Sequence, residues 1–199
     1  MEGRDFKREL MKGLRTRSGL EERRPYLGMS GIGNCARKLY MDFVNGRQVD
    51  DQGHWFCWTG YLYEAGVLAL MGLEKREREI VASFDARFQG HTDYYLDDGT
   101  VVDIKSTALD KFVAIKRGGP PFTHVAQMQM YMRHGGFKRA VLIYTARDIP
   151  ARVWTEPFWT VDVAPDERLM DRLDHKAQMI LAAIDRKLPP ACECGYCRS

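Results

Sequence analysis

Apolar and polar positions alternate in blocks along the chain, and the period of each block predicts an element. Residues 35–43 read as a short helix, with Ser30 or Asn34 available as its cap. The polar stretch 45–53 reads as a loop. Residues 54–73 carry Trp55, Phe56, Trp58, Leu62, Val67, Leu68 and Leu70 without a proline, which predicts a mostly buried helix. Three β-rich runs follow at 79–88, 90–96 and 100–105, and Asp97-Asp98-Gly99 between the last two is a tight hairpin signal. A break at 118–121 precedes a helix over 123–134, closed by Gly135-Gly136. Two more β-rich runs occupy 139–146 and 152–161. Pro165 suits a first helical position, and Leu169, Leu173, Ile180, Ile184 and Leu188 mark one face of a long last helix that Pro189-Pro190 stops. The order is helix, three strands, helix, two strands, helix. It specifies a mixed α/β domain whose first three strands form an antiparallel meander.

A length of 199 residues suits one domain. With 45% hydrophobic and 11% aromatic residues, the chain can fill a core. The longest apolar run, residues 179–184, is far short of the roughly 18 residues a membrane span needs, and the charged N-terminus does not read as a secretory signal. These features predict an intracellular, cytoplasmic protein. The net charge of +3 is carried by residues 1–24, which hold eight Lys/Arg and five Asp/Glu, while the rest of the chain balances. Residues 1–28 therefore form a basic arm. Charge alone makes it a solvated, partly helical surface segment; it also has the sign to lie along phosphates.

The candidate chemistry lies on the hairpin. Asp93 and Asp103 are equidistant from the turn centre, so they fall opposite one another, and Lys105 shares a strand face with Asp103. Two close carboxylates raise each other's pKa unless a cation intervenes, and hard oxygen ligands suit Mg²⁺ or Mn²⁺. A lysine beside that ion can position or deprotonate water and stabilise charge on phosphorus. A surface salt bridge is the plainer reading of the three residues. Apolar Val101, Val102 and Ile104 argue against it, because they place the strand in the centre of a sheet.

Thr92-Asp93 followed by Asp103-Ile104-Lys105 resembles the signature of the PD-(D/E)XK nuclease superfamily, with Thr92 in place of its proline. Three further segments resemble the RecB-like branch: Gly60 to Glu64, Gln127 to Tyr131, and Cys35-Ala36-Arg37-Lys38-Leu39-Tyr40, the last resembling the opening of those members that carry an iron–sulfur cluster. The resemblance covers residues 29–197. It implies a restriction-endonuclease-like core, with a mixed central sheet flanked by helices, in a single nuclease domain over 29–199. It implies a metal held by Glu64, Asp93, Asp103 and the Ile104 carbonyl. Gln127 would then position Lys105, and Tyr131, Arg37 and Lys38 would contact nucleic acid. The implied activity is a metal-dependent deoxyribonuclease, an exonuclease acting on single-stranded or frayed DNA ends, similar to CRISPR spacer-acquisition nucleases and phage-encoded relatives. Such enzymes work inside a bacterial or phage-infected cell, as homo-oligomers or with a recombination or CRISPR-adaptation partner.

Five cysteines complete the picture. Cys192, Cys194 and Cys197 with Cys35 supply four thiolates, which suit tetrahedral zinc or a cubane iron–sulfur cluster equally on ligand count. The resemblance favours a 4Fe-4S cluster that ties the two chain ends together. Cys57 reads as a small buried hydrophobe, Met128 and Met130 as core. Trp55, Trp58 and Tyr61 have the chemistry to stack on bases, but on a buried helix they read first as core aromatics. An alternative of another class keeps the fold and loses the catalysis: a catalytically weak nucleic-acid-binding or scaffold protein stapled by its four cysteines.

Overall fold

The computed structural model describes residues 5–17, 24–47, 49–152, 155–192 and 194. Six helices and seven strands run through these residues: α1 (Phe6–Arg17), β1 (Leu27–Gly28), α2 (Ala36–Asn45), α3 (Asp51–Leu70), β2 (Glu79–Val81), β3 (Phe88–His91), β4 (Tyr94–Tyr95), β5 (Thr100–Thr107), α4 (Leu109–Gly118), α5 (Phe122–Gly135), β6 (Arg139–Ala146), β7 (Phe158–Val163) and α6 (Glu167–Asp185). The fold is mixed α/β, as the sequence predicts. The basic arm ends inside the sheet structure, since Leu27 and Gly28 pair in parallel with Phe88 and Gln89.

The expected three-strand meander is split between two sheets. One sheet has the order β1-β3-β2, the other β4-β5-β6-β7. The chain leaves the first at Thr92, which is tied back across β2's lead-in: Thr92 N donates to Arg78 O, and Arg78 N donates to the Thr92 hydroxyl, each at 3.0 Å. The first run is also shorter than expected. Asp85 accepts from Arg87 N at 2.8 Å and curls residues 83–87 into a turn.

The hairpin turn forms where the sequence places it. Gly99 takes φ 86°, a conformation that costs a side-chain-bearing residue, and Asp98 accepts from Thr100 N at 2.9 Å. Strand β5 is central, antiparallel to β4 and parallel to β6 over eight residues from Thr100↔Arg139 to Thr107↔Ala146. Its two faces meet different helices. Val102 and Ile104 join Val67 and Leu68 of α3 in one apolar cluster; Val101 joins the larger core around Met128, Met130, Leu142 and Ile180.

Other differences from the sequence reading have local causes. Helix α3 begins within the expected loop, because Asp50 caps it by accepting from Gly53 N at 2.8 Å. Pro165 is not the first residue of α6: Asp166 caps that helix by accepting from Leu169 N at 3.0 Å. The helix ends at Asp185, before the two prolines, so Leu188 lies beyond it and is exposed. Helix α4 was not anticipated; it buries Phe112 and Ile115 and closes at Gly119, φ 89°. The last strand starts later than predicted, at Phe158, and residues 153–154 lie outside the described residues. The largest correction concerns α3. It is not mostly buried: Trp55, Phe56, Tyr61, Leu62 and Leu70 are exposed.

Candidate active site

The hairpin register brings Asp93 to Asp103. Tyr94 pairs with Val102 and Tyr95 with Val101, so Asp93 stands one step further, opposite Asp103. Instead of pairing as a strand residue, Asp93 turns its Oδ2 to accept from Ile104 N at 2.8 Å. Asp103 is 0% exposed. Lys105 Nζ lies 3.1 Å from its Oδ1, as a hydrogen bond, and 2.8 Å from its Oδ2. The alternation of β5 aims both side chains toward α5.

Helix α5 supports the pair. Gln127 Nε2 donates to Asp103 Oδ1 at 2.8 Å and to the Tyr131 hydroxyl oxygen at 2.9 Å, and the Tyr131 hydroxyl donates to His91 O at 2.6 Å. The i, i+4 spacing makes this relay possible. It corrects two expectations. Gln127 positions Asp103, not Lys105. Tyr131 is 2% exposed and its hydroxyl is committed to the backbone, so it braces the site from behind and does not face nucleic acid. Gly90 makes room for it: a Cβ there would lie 2.6 Å from Tyr131 Cε1.

Glu64 enters from α3, buried, with Lys75 Nζ 3.1 Å from its Oε1. Lys75 also pairs with Glu77 at 2.7 Å. Burial pushes the Glu64 carboxyl above the usual range, and Glu77 and Asp103 add to the effect against the pull of Lys75. Burial, then the Asp103 and Glu64 charges, push Asp93 up to about 8, outweighing Lys105 and the Ile104 amide. Burial draws the Lys105 ammonium down, but Asp103 and Asp93 overcome it and keep the lysine charged. Glu64, Asp93 and Asp103 thus share one electrostatic neighbourhood, and burial penalises the ionisation of Glu64 and Asp93.

This donor set fits a divalent cation. Asp103 Oδ2 is buried and ion-paired with Lys105 Nζ at 2.8 Å without a well-aligned hydrogen bond, and a carboxylate oxygen so placed has a further lone pair for a cation. The hard oxygens of Glu64, Asp93 and Asp103 match Mg²⁺ or Mn²⁺ chemistry.

Sequence reasoning missed Lys75, Gly90 and a neighbouring pair, His124 and Tyr144, whose Nδ1 and hydroxyl oxygen are 2.8 Å apart. Tyr144 lies beside Lys105 in register. Burial, helped by the Lys105 charge, pushes His124 down to about 4, so its ring is neutral. No sequence spacing announces Lys75, whose partner is set by how the chain returns from α3. Arg37 is half-buried on α2, and Lys38 is exposed and paired with Asp42 at 2.6 Å.

A second centre joins the chain ends. Cys35 immediately precedes α2, and its Sγ lies with those of Cys192 and Cys194 in a group within 4.8 Å of one another. Cys192 and Cys194 are 3.6 Å apart at sulfur. Lys176 of α6 donates to Asn34 O at 2.5 Å beside them. Cys197 lies outside the described residues. Cys57 is half-buried on α3 and is not part of the group.

No protein-family model matches the chain, and no curated protein matches it. Solved structures do. The alkaline exonuclease LHK-Exo of Laribacter hongkongensis superposes with a TM-score of 0.63 at 15% identity, covering 84% of this chain and 92% of that one. Its complex with dAMP gives 0.64 at 15% identity, over 83% and 90%. The SSO0001 structure gives 0.60 at 17% identity, over 89% and 87%. Over most of its length, the chain therefore has the fold of LHK-Exo and SSO0001.

Proposed function

We propose that this chain is a metal-dependent DNA exonuclease of the PD-(D/E)XK, RecB-like kind. The observation that carries the reading is the convergence of Asp93, Asp103 and Glu64 around Lys105, on a fold shared with an alkaline exonuclease. Glu64, Asp93, Asp103 and the Ile104 carbonyl would hold Mg²⁺ or Mn²⁺. Such an ion polarises a phosphodiester and lowers the pKa of water when bound. The chain's own residues do the rest. Gln127 fixes the Asp103 carboxylate, and Tyr131 fixes Gln127. Lys105 presents a positive charge beside Asp103, where it would orient water and stabilise negative charge on the phosphate under in-line attack.

Residues 29–199 form the nuclease domain in this reading, and the basic arm 1–28 attracts DNA together with Arg37 and Lys38. The preferred substrate is single-stranded DNA or a frayed end, in the cytoplasm of a bacterium or a phage-infected cell. A homo-oligomer, or a recombination or CRISPR-adaptation partner, belongs to the same reading. Cleavage of a linear single strand, a blunt duplex and a closed circle, each with Mg²⁺, Mn²⁺ or EDTA, tests it. Shortening of the linear strand that stops in EDTA is the expected result. Defined fragments from the circle would indicate an endonuclease, and binding with no cleavage would favour the scaffold alternative.

Cys35, Cys192, Cys194 and Cys197 would hold a 4Fe-4S cluster that staples the chain ends. A second reading, a single zinc ion, has its own support: thiolates about 2.3 Å from one tetrahedral ion sit roughly 3.8 Å apart, close to the 3.6 Å between Cys192 and Cys194. A visible spectrum with iron and zinc analysis separates the two.

A further inference from the structure

Helix α3 presents four side chains in one oblique row: Trp55, Trp58, Tyr61 and Glu64, each three residues after the last. Successive members rise about 4.5 Å and step about 60° round the axis. The row therefore runs from the exposed flank of the helix to the buried carboxylate. Trp55 is 50% exposed and Tyr61 47% exposed. The Trp55 and Trp58 rings are 5.4 Å apart and tilted at 42°, so they form one continuous apolar shelf. An aromatic row of this length facing solvent is out of keeping with a role in the core.

The charged groups along it indicate what covers it. Cations attend its inner end: Lys75 Nζ lies 5.9 Å from the Tyr61 ring while also pairing with Glu64, and the Arg24 charge acts on the Tyr61 hydroxyl. At its outer end, Arg15 is held by Asp51 at 2.7 Å.

We propose that this row is the track of a single DNA strand, with bases stacked on Trp55, Trp58 and Tyr61 and the strand leading toward Glu64. The proposal rests on the nuclease reading and adds the path of the substrate. Flat rings with nearby cations suit unpaired bases, because every base has a π-face and every linkage a negative charge. A duplex hides its bases and cannot use the shelf.

The test measures binding of fluorescein-labelled oligo(dT) to the full chain in EDTA, so that cleavage plays no part. Trp55→Ala and Trp58→Ala should each weaken binding about tenfold, and the loss should persist at high salt, where phosphate contacts are screened. Trp58→Phe should recover most of the affinity. Met179→Ala, which removes an exposed apolar side chain from α6, should bind as wild type. Circular dichroism of each variant confirms that it is folded. Folded Trp55→Ala and Trp58→Ala proteins that bind within twofold of wild type would overturn the proposal. A change of oligomeric state without loss of binding would overturn it too, and would assign the row to contact between copies. The nuclease reading fails separately, if Asp103→Ala still cuts.

Discussion

Gln127 Nε2 donates to Asp103 Oδ1 at 2.8 Å, and Asp103 Oδ2 is ion-paired with Lys105 Nζ at 2.8 Å. One oxygen is held by the α5 amide, and the other faces the Lys105 ammonium at the front of the site. A carboxylate held on one side in this way is oriented for a ligand on the other, and partners of ligating groups typically matter 10–100-fold.

Gln127→Ala should therefore lower cleavage by roughly 10–100-fold while the protein still folds. Tyr131→Phe removes the bond to His91 O and an acceptor for Gln127. It should cost about 1–2 kcal/mol of stability and less activity than Gln127→Ala. Single-turnover cleavage rates and urea denaturation of the two variants check this order.

Gly90 is a packing requirement of the same brace. A Cβ at that position would lie 2.6 Å from Tyr131 Cε1 and 3.1 Å from two Met29 atoms. Gly90→Ala should destabilise by roughly 1–3 kcal/mol, because neither buried neighbour has space to move. If thermal unfolding of the variant matches wild type, Tyr131 is less firmly seated than described.

The acidic site sets a pH dependence. Asp93 holds its proton more tightly in the fold, to about 8, than its ordinary value of 3.8, and Glu64 shifts in the same direction. Their contribution to stability is fully present below the ordinary carboxylate values and is lost as pH rises through the raised ones. Metal-free protein should lose stability from these groups between about pH 4 and 8, and the stabilisation by added Mg²⁺ should grow over the same interval. Melting curves in EDTA and in Mg²⁺ from pH 5 to 9 measure both. A Mg²⁺ effect independent of pH would contradict the assignment.

In the iron–sulfur reading proposed above, Cys35→Ser removes the N-terminal member of the cysteine group. Colour, iron and melting temperature should fall together, whereas Cys57→Ser should leave the metal content intact. Equal loss from both variants would mean that the fourth ligand has been misassigned.

The sequence was most informative where structure is local. Asp97-Asp98-Gly99 sets the hairpin register, so the meeting of Asp93 with Asp103 could be read from spacing, as could the shared face of Gln127 and Tyr131. The division into two sheets could not, because it turns on two-residue strands: β1 joins β3 across some 60 residues of chain, and β4 is equally short. The exposure of α3 was hidden for another reason. The helix is apolar nearly all round, and a run such as Trp55 to Leu62 reads alike whether it meets a core or a ligand. Helix α4 did carry signals, with Phe112 and Ile115 three apart and Lys116 and Arg117 before Gly118-Gly119, but it lies between a strand and a break and is only ten residues long.

The central claim is that the Asp103 and Lys105 side chains form the chemical centre of a nuclease. The most direct test is cleavage of end-labelled linear single-stranded DNA with Mn²⁺ by wild type, Asp103→Ala and Lys105→Ala at equal DNA occupancy. The account predicts shortening by wild type that EDTA stops, and background rates from both variants, whose DNA binding survives because phosphate contacts are spread over many groups. Cleavage by either variant at the wild-type rate would contradict it.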